Sequence, residues 1–223
     1  MHKRPVAVAF DVVETLFSLD PVRERLVDAG LPRSILPFWF ATFIRDAFAL
    51  DATGIYKPFK EVAAASLEVL LTSHDVDASK ETIARIVGAF AELPAHPDVR
   101  PAFEKLRAAG VRIAALSNGA AKTTNALLER AHLDTLVEAT ISIDEVLRWK
   151  PAREVYLHAA KRLDLAPPQV ALVAAHAWDV LGASQAGLMT GFVARHEKVP
   201  SAAMARPDCR GASLVEVVEQ LLG

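Results

Sequence analysis

The sequence predicts a three-layer, doubly wound α/β fold, a parallel sheet with helices on both faces, plus one inserted all-helical block. Three observations predict it. Short apolar runs recur along the chain, each bounded by turn or polar residues. Helical patterns separate them, the alternation that builds parallel sheets through right-handed crossovers. The runs are nearly continuous rather than alternating, as strands buried on both faces must be.

The first expected strand is Val6–Phe10, followed by Val111–Leu116, Ala139–Ile143, Val170–Ala175 and Thr190–Ala194. Pro101–Ala109 reads as a helix stopped by Gly110, since glycine readily takes the left-handed conformation that ends helices. Ala121–Ala131, Ala152–Leu163 and Val180–Ala186 carry the same spacing, the last stopping at Gly187, and Val215–Leu222 reads as a closing helix. From about Pro21 to about Leu93 only helical patterns occur, at Val22–Ala29, Leu36–Leu50, Phe59–Leu71 and Lys80–Leu93. The three prolines of Leu93–Pro101 mark the linker back to the sheet. The expected domains are an α/β core over residues 1–17 and 96–223 and a helical insert over 18–95.

The 223 residues suffice for such a core plus a smaller insert. A hydrophobic share of 52% with 23% charged residues reads as globular rather than disordered. A net charge of −2 without any basic block argues against nucleic acid or an anionic membrane as partner. Cys209 is the single cysteine, so an intrachain disulfide, a redox pair and a CxxC metal site are all excluded, and it reads as a passive thiol. The N-terminal apolar run is broken by Asp11 and Glu14 and lacks a small-residue cleavage site, so it reads as a strand rather than a signal peptide. No stretch reaches the ~18 uninterrupted apolar residues of a membrane span. A cytoplasmic location is the resulting expectation.

In a doubly wound sheet, ligands bind beyond the carboxyl ends of the strands. The first strand presents Asp11 there, with Thr15 four residues on, and the second presents Ser117-Asn118-Gly119. The fourth runs into His176-Ala177-Trp178-Asp179, and Lys150 follows the third, just before Pro151 and a helix. Topology alone thus gathers two carboxylates, a hydroxyl and an ammonium on one edge. Each also has a plainer reading. Asp179 could cap a helix, Ser117-Asn118-Gly119 could be a simple turn, His176 could be structural, and Glu14 a loop charge.

The order of these segments resembles the haloacid dehalogenase superfamily. Phe10–Phe17 is similar to its first motif, DxxxT after an apolar strand, and Leu116–Gly119 to its second. Lys150-Pro151 with Tyr156 is similar to the third, and Val173–Asp179 with Gly182–Gly187 to the fourth. The helical insert stands where that family carries its cap. The resemblance implies a Rossmann-like core, a lid-like cap and a nucleophilic carboxylate at Asp11.

Within the superfamily, phosphatases place a second Asp two residues after the nucleophile as general acid, and a further acid in the fourth motif for Mg²⁺. Val13 and Ala175 stand at those positions here. The sequence is most similar to the type II L-2-haloacid dehalogenases, whose halide leaving group needs no proton and which need no metal. That resemblance implies covalent catalysis through an aspartyl ester on a small carboxylate substrate, no cofactor and a homodimer. It implies that Lys150 keeps Asp11 ionised, that Thr15 orients Asp11 and that Asp179 holds Lys150 or the water. Ser117 would bind the substrate carboxylate, Asn118 would lie near the halide and Tyr156 would line the site.

The chain departs from the dehalogenase pattern at Val13-Glu14, where the relatives have Tyr-Gly, and at Ala174 and His176, where they carry Ser and Asn. His176 could instead position or activate the hydrolytic water, because a near-neutral pKa suits a general base. The cap arginine that cradles the halide is missing from Phe38–Thr42, leaving Arg45 as its substitute. Trp39, Phe40, Phe43 and Phe48 read first as cap core, with Phe40 as part of an apolar roof that excludes water. Two other functions compete with dehalogenation. One is an Mg²⁺-dependent phosphatase of small metabolites; the other is a non-catalytic binder of a carboxylate or a protein partner.

Overall fold

A computed structural model describes residues 4–223 and divides the chain into two units: residues up to Phe17 together with Pro94–Gly223, and Ser18–Leu93. The first unit is built on six parallel strands: β1 (Ala7–Phe10), β2 (Arg112–Ser117), β3 (Ala139–Ser142), β4 (Val170–Ala174), β5 (Met189–Val193) and β6 (Cys209–Gly211). Their order in the sheet is β3-β2-β1-β4-β5-β6. Winding therefore runs one way from β1 to β3 and the other way from β4 to β6. The reversal lies between β1 and β4, which pair in register from Ala7 against Val170 to Phe10 against Val173. Such a switch point leaves a crevice at the carboxyl ends of the two strands.

Every residue of β1 and β4 is buried. A sheet apolar on both faces must be covered on both, and five helices do so: Val99–Ala108, Ala121–Arg130, Arg153–Arg162, Ala177–Gln185 and Leu214–Leu222. The first and last of these pack on each other, and so do the third and fourth. Phe103 shows the logic of one such helix. It follows Val99 and Ala102 at helical spacing, is itself fully buried, and lays its ring 4.9 Å from that of Phe10 in β1. Burial of a side chain of this size is worth about 1.5–3 kcal/mol.

Two expectations need correction. The sheet has a sixth strand, Cys209–Gly211, that the sequence did not reveal, because three residues with Arg210 exposed make no apolar run. The fourth core helix begins at Ala177, not Val180, because His176 takes extended backbone angles (φ −114°, ψ 127°) and turns the chain into the helix there.

The second unit is helical among its described residues. It comprises Asp20–Asp28, Ile35–Ala52, Phe59–Ser73 and Lys80–Gly88, the last continued by a 3-10 turn at Ala89–Ala91. Its core is aromatic. Trp39 and Phe43 are fully buried, Phe59 stacks edge-on against both Phe43 and Phe90 at 4.9 Å, and the Trp39 indole donates to the Ser66 hydroxyl (3.0 Å). Phe40 and Phe48 are only half-buried. Among the described residues no helix is long and apolar enough to cross a membrane.

Candidate active site

Asp11 follows β1 directly, and its amide extends the ladder by donating to Val173 O (3.0 Å). The backbone therefore fixes the carboxylate at the switch point. The side chain is then held from two directions. Thr15 Oγ1 donates to Oδ2 (2.7 Å) and itself accepts from the amide of Ala175 (2.9 Å), tying the loop after β1 to the turn after β4. Lys150 Nζ donates to Oδ1 (2.9 Å) and equally to Asp179 Oδ2 (2.9 Å).

Lys150 is completely buried, as is Asp179. An ammonium so far from water persists only with charged partners, and the two carboxylates raise its pKa against the desolvation that would lower it. The carboxylates themselves diverge. Burial would raise Asp11, but the Lys150 charge and then His176 outweigh it and hold Asp11 well below the usual carboxylate range. Asp179 is pushed up by burial and by the charge of Asp11. Tyr156 donates to Asp179 Oδ1 (2.6 Å), and its own phenol is raised well above its ordinary value by burial and by Asp179, so it stays a donor. Asp179 lies within the first helical turn and makes no cap; both its oxygens are taken by Lys150 and Tyr156.

Gly182 makes room for this arrangement. A Cβ there would stand 2.6 Å from Cε2 and the hydroxyl of Tyr156 and 2.7 Å from Cβ of Pro151. Asn118 Oδ1 accepts from the amide of Lys150 (3.2 Å), which leaves its NH₂ as a donor at the end of β2. Ser117 Oγ accepts from the amide of Gly119 (2.9 Å), leaving its hydroxyl proton to donate.

The loop after β1 carries a further group that the sequence offered only as a loop charge. Glu14 is buried, with its backbone at φ +65°. A non-glycine residue in the left-handed region costs roughly 1–2 kcal/mol. Its Oε2 meets Nε2 of His176 at 2.8 Å, its Oε1 meets Nε2 of His196 at 3.0 Å, and its carbonyl oxygen meets Nε2 of His96 at 3.1 Å. Hydrogen bonds and charge from His176 and His196 outweigh burial and lower Glu14 to about 2. The other ring nitrogen of His176, Nδ1, stands 3.8 Å from Asp11 Oδ2. Burial would lower His176, but Asp11 and Glu14 raise it from an ordinary 6.5 to about 10.

The first unit thus brings together Asp11, Thr15, Lys150, Tyr156, His176 and Asp179, with Ser117 and Asn118 at the adjoining strand end. Phe40 and Arg45 stand in the second unit, on the helix Ile35–Ala52. The guanidinium of Arg45 forks onto Asp46 (2.7 Å) with 70% of its side chain exposed. Glu14 was legible as no more than a loop charge standing where the resembled dehalogenases have glycine. His196 carried no signal, because it joins the group through the loop after β5.

Comparison with known proteins agrees with this architecture. A family model described as haloacid dehalogenase-like hydrolase matches residues 6–187. The (S)-2-haloacid dehalogenase 4A of Burkholderia cepacia is 31% identical over 196 residues, covering 87% of this chain and 85% of the relative. An (S)-2-haloacid dehalogenase of a Pseudomonas species is 29% identical, with 97% and 96% covered. A crystal structure of a dehalogenase with an intermediate complex superposes with a TM-score of 0.91 at 27% identity, over all of both chains. The matched span runs from the first strand through the helix that carries Asp179 and Gly182, and the chain belongs to the haloacid dehalogenase-like hydrolase family.

Proposed function

We propose that this chain hydrolyses the carbon–halogen bond of small 2-haloalkanoic acids, of the S configuration named in its relatives, through an ester on Asp11. The observation that carries this reading is the buried Lys150, bonded at 2.9 Å to Asp11 and again to Asp179. It supports a carboxylate held ionised and aimed, the state a nucleophile needs at neutral pH. Asp11 attacks the carbon in line, the halide leaves with its electron pair, and water then adds to the ester carbonyl and frees the 2-hydroxy acid. The Ser117 hydroxyl and the Asn118 amide are the donors for the substrate carboxylate and halide in this reading. His176 activates the hydrolytic water, with Glu14 holding its far nitrogen. The parts given to Phe40 and Arg45, an apolar shield and a cation for the halide, rest on the sequence resemblance alone.

The phosphatase alternative requires Mg²⁺, an oxygen-seeking cation of octahedral habit. The donor set does not fit it. Ala175 offers no side-chain oxygen where the fourth-motif acid would hold the ion, Val13 offers no general acid, and among the described residues no cluster of His, Cys, Asp and Glu is arranged to hold a metal. The proposed reaction calls on no metal. A homodimer belongs to the same reading through the resemblance alone, and a cytoplasmic location through the single cysteine, Cys209, which leaves no intrachain disulfide.

The test is halide release from L-2-chloropropionate in the presence of EDTA. Turnover in ¹⁸O water should place label on the Asp11 peptide, and Asp11→Asn should lose the activity, with mass spectrometry checking that the asparagine has not deamidated. Mg²⁺-dependent cleavage of p-nitrophenyl phosphate without halide release would overturn the reading in favour of the phosphatase.

A further inference from the structure

Esterification of Asp11 removes a negative charge from a buried cluster, and His176 is the imidazole placed to feel the loss. We propose that His176 is a base that the reaction itself switches on: it rests as an imidazolium between the Asp11 and Glu14 carboxylates, and conversion of Asp11 into an ester releases its Nδ1 proton and frees that nitrogen for the hydrolytic water. The inference rests on the proposed dehalogenation and deepens it, because the base of the second half-reaction is absent until the halide has left.

The geometry gives the two ring nitrogens different partners. Nε2 meets Glu14 Oε2 at 2.8 Å, and Nδ1 faces Asp11 Oδ2 at 3.8 Å. Glu14 is lowered to about 2, so it takes no proton and holds the Nε2 hydrogen in place throughout. It is itself held by Nε2 of His196 at 3.0 Å and stands at φ +65° where the relatives place glycine, and a strained residue persists where its surroundings over-determine it. The indole of Trp178 stacks on the His176 ring, with centroids 5.2 Å apart. Burial lowers His176, and the hydrogen bonds and charges of Asp11 and Glu14 raise it past that effect to about 10. In the ester the Asp11 charge is gone, leaving Glu14 alone of the two against burial. Lys150, bonded to Asp11 Oδ1, stays charged beside Asp179 and disfavours a second cation nearby. Glu197, on the amide of Ala177, and His96, on the Glu14 carbonyl oxygen, complete the charged and titratable surroundings. Asp179 is completely buried with one oxygen bonded to Lys150 and the other to Tyr156, so the nitrogen facing Asp11 is the group placed to take a proton there.

The protons balance over the cycle. At rest both ring nitrogens of His176 carry hydrogen. Asp11 displaces the halide, which leaves with the electron pair of the carbon–halogen bond, and Asp11 becomes a neutral ester. The Nδ1 proton then passes to solvent water, while the Nε2 hydrogen stays on Glu14. The attacking water gives one proton to the bare Nδ1 as its oxygen bonds to the ester carbonyl carbon. The tetrahedral adduct collapses, and the alkoxide oxygen leaves with the electron pair of the ester bond and the second water proton, as the 2-hydroxy acid. Asp11 returns ionised beside an imidazolium, the state that opened the cycle. One water enters, and one halide, one proton and one hydroxy acid leave.

Asp11→Asn imitates the switch, because an amide is uncharged as the ester is. The ring nitrogens of His176 are followed by ¹⁵N NMR in wild type and in Asp11→Asn at about pH 8, between the ordinary 6.5 and the raised value of about 10. In wild type both nitrogens should carry hydrogen. In Asp11→Asn the Nδ1 proton should be lost and the Nε2 proton kept. A bare Nδ1 already present in wild type, an Nδ1 still protonated in Asp11→Asn, or loss from Nε2 instead each overturns the switch. A second measurement reads the chemistry. Mixed with L-2-chloropropionate and followed by rapid quench and intact mass, His176→Asn should release halide in the first turnover and then hold the Asp11 ester, whose hydrolysis should slow ~100-fold or more. Ester hydrolysis at the wild-type rate in that variant overturns the role of His176, and if either variant fails to fold, the measurement on the other decides. In all these cases wild type still releases halide and the attack by Asp11 stands. If wild type itself releases none, the dehalogenase reading fails and the switched base falls with it.

Discussion

The Glu14 carboxylate meets the His176 imidazole at 2.8 Å across 162 residues of sequence, joining the loop after the first strand to the turn after the fourth. The two positions are the ones at which this chain departs from the glycine and asparagine of the dehalogenase pattern. Their contact gives the two departures a single cause. A buried glutamate in that loop needs a cationic partner, and an imidazole beside the nucleophile needs an anion at its far nitrogen to fix its ring.

Reverting only one of the pair should therefore be worse than reverting both. His176→Asn leaves Glu14 buried with only His196 on its side chain. Glu14→Gly relieves the left-handed backbone but takes from His176 one of the carboxylates that hold its proton. The double variant restores the relatives' combination. Urea unfolding should give a favourable coupling of about 0.5–3 kcal/mol between the two changes. Strictly additive losses would show that the pair is not a unit.

Much of this site was legible in the sequence, and the boundary has physical reasons. Asp11, Ser117 and Lys150 could be placed together because parallel strands deliver their carboxyl ends to one edge, so order along the chain converts into proximity. Five strands were visible as continuous apolar runs. Cys209–Gly211 was not, because an edge strand of three residues pairs through backbone alone. Glu14 and His176 were each visible as departures, but their contact depends on the turn at φ +65°, which side-chain chemistry does not announce. His196 reaches Glu14 only through the path of a loop.

Lys150→Met tests the shared cation. It leaves two carboxylates facing one another out of water, and removing one partner from a buried charged group costs about 3–5 kcal/mol. At neutral pH the variant should be destabilised by that order and nearly inactive, since Asp11 loses the charge that keeps it ionised. Because Asp179 already lies above its ordinary value, it accepts a proton readily, so the deficit should shrink as the pH is lowered. Equal stability of variant and wild type at neutral pH would falsify the arrangement.

Gly182→Ala tests the close packing behind Asp179. The added methyl would sit 2.6 Å from the Tyr156 ring and hydroxyl and 2.7 Å from Pro151, well inside contact distance. Overpacking of this kind costs about 1–3 kcal/mol. The larger effect should be on turnover, because a displaced Tyr156 releases Asp179 and with it the aim of Lys150. Tyr156→Ala removes most of the clash, so adding Gly182→Ala to that variant should cost little more. Thermal unfolding and halide release of the two single variants and the double variant check this, and full additivity would argue that the side chains do not meet.

The pH dependence of stability follows from the same pair, with opposite signs for its members. His176 is raised in the folded protein from 6.5 to about 10, so its contribution is complete below pH 6.5 and is lost as the pH rises through about 10. Glu14 is lowered from 4.5 to about 2, so its contribution is complete above pH 4.5 and is lost as the pH falls toward 2. Both act in full between 4.5 and 6.5. Urea midpoints measured from about pH 4 to about pH 10 should therefore fall away on the alkaline side more steeply for wild type than for the Glu14→Gly, His176→Asn double variant. The ring nitrogens of His176, followed by NMR, should titrate near 10 rather than 6.5. Parallel stability curves with an imidazole titrating at its ordinary value would mean that the Asp11 and Glu14 charges do not hold the His176 proton, and the resting enzyme would then already contain a neutral base.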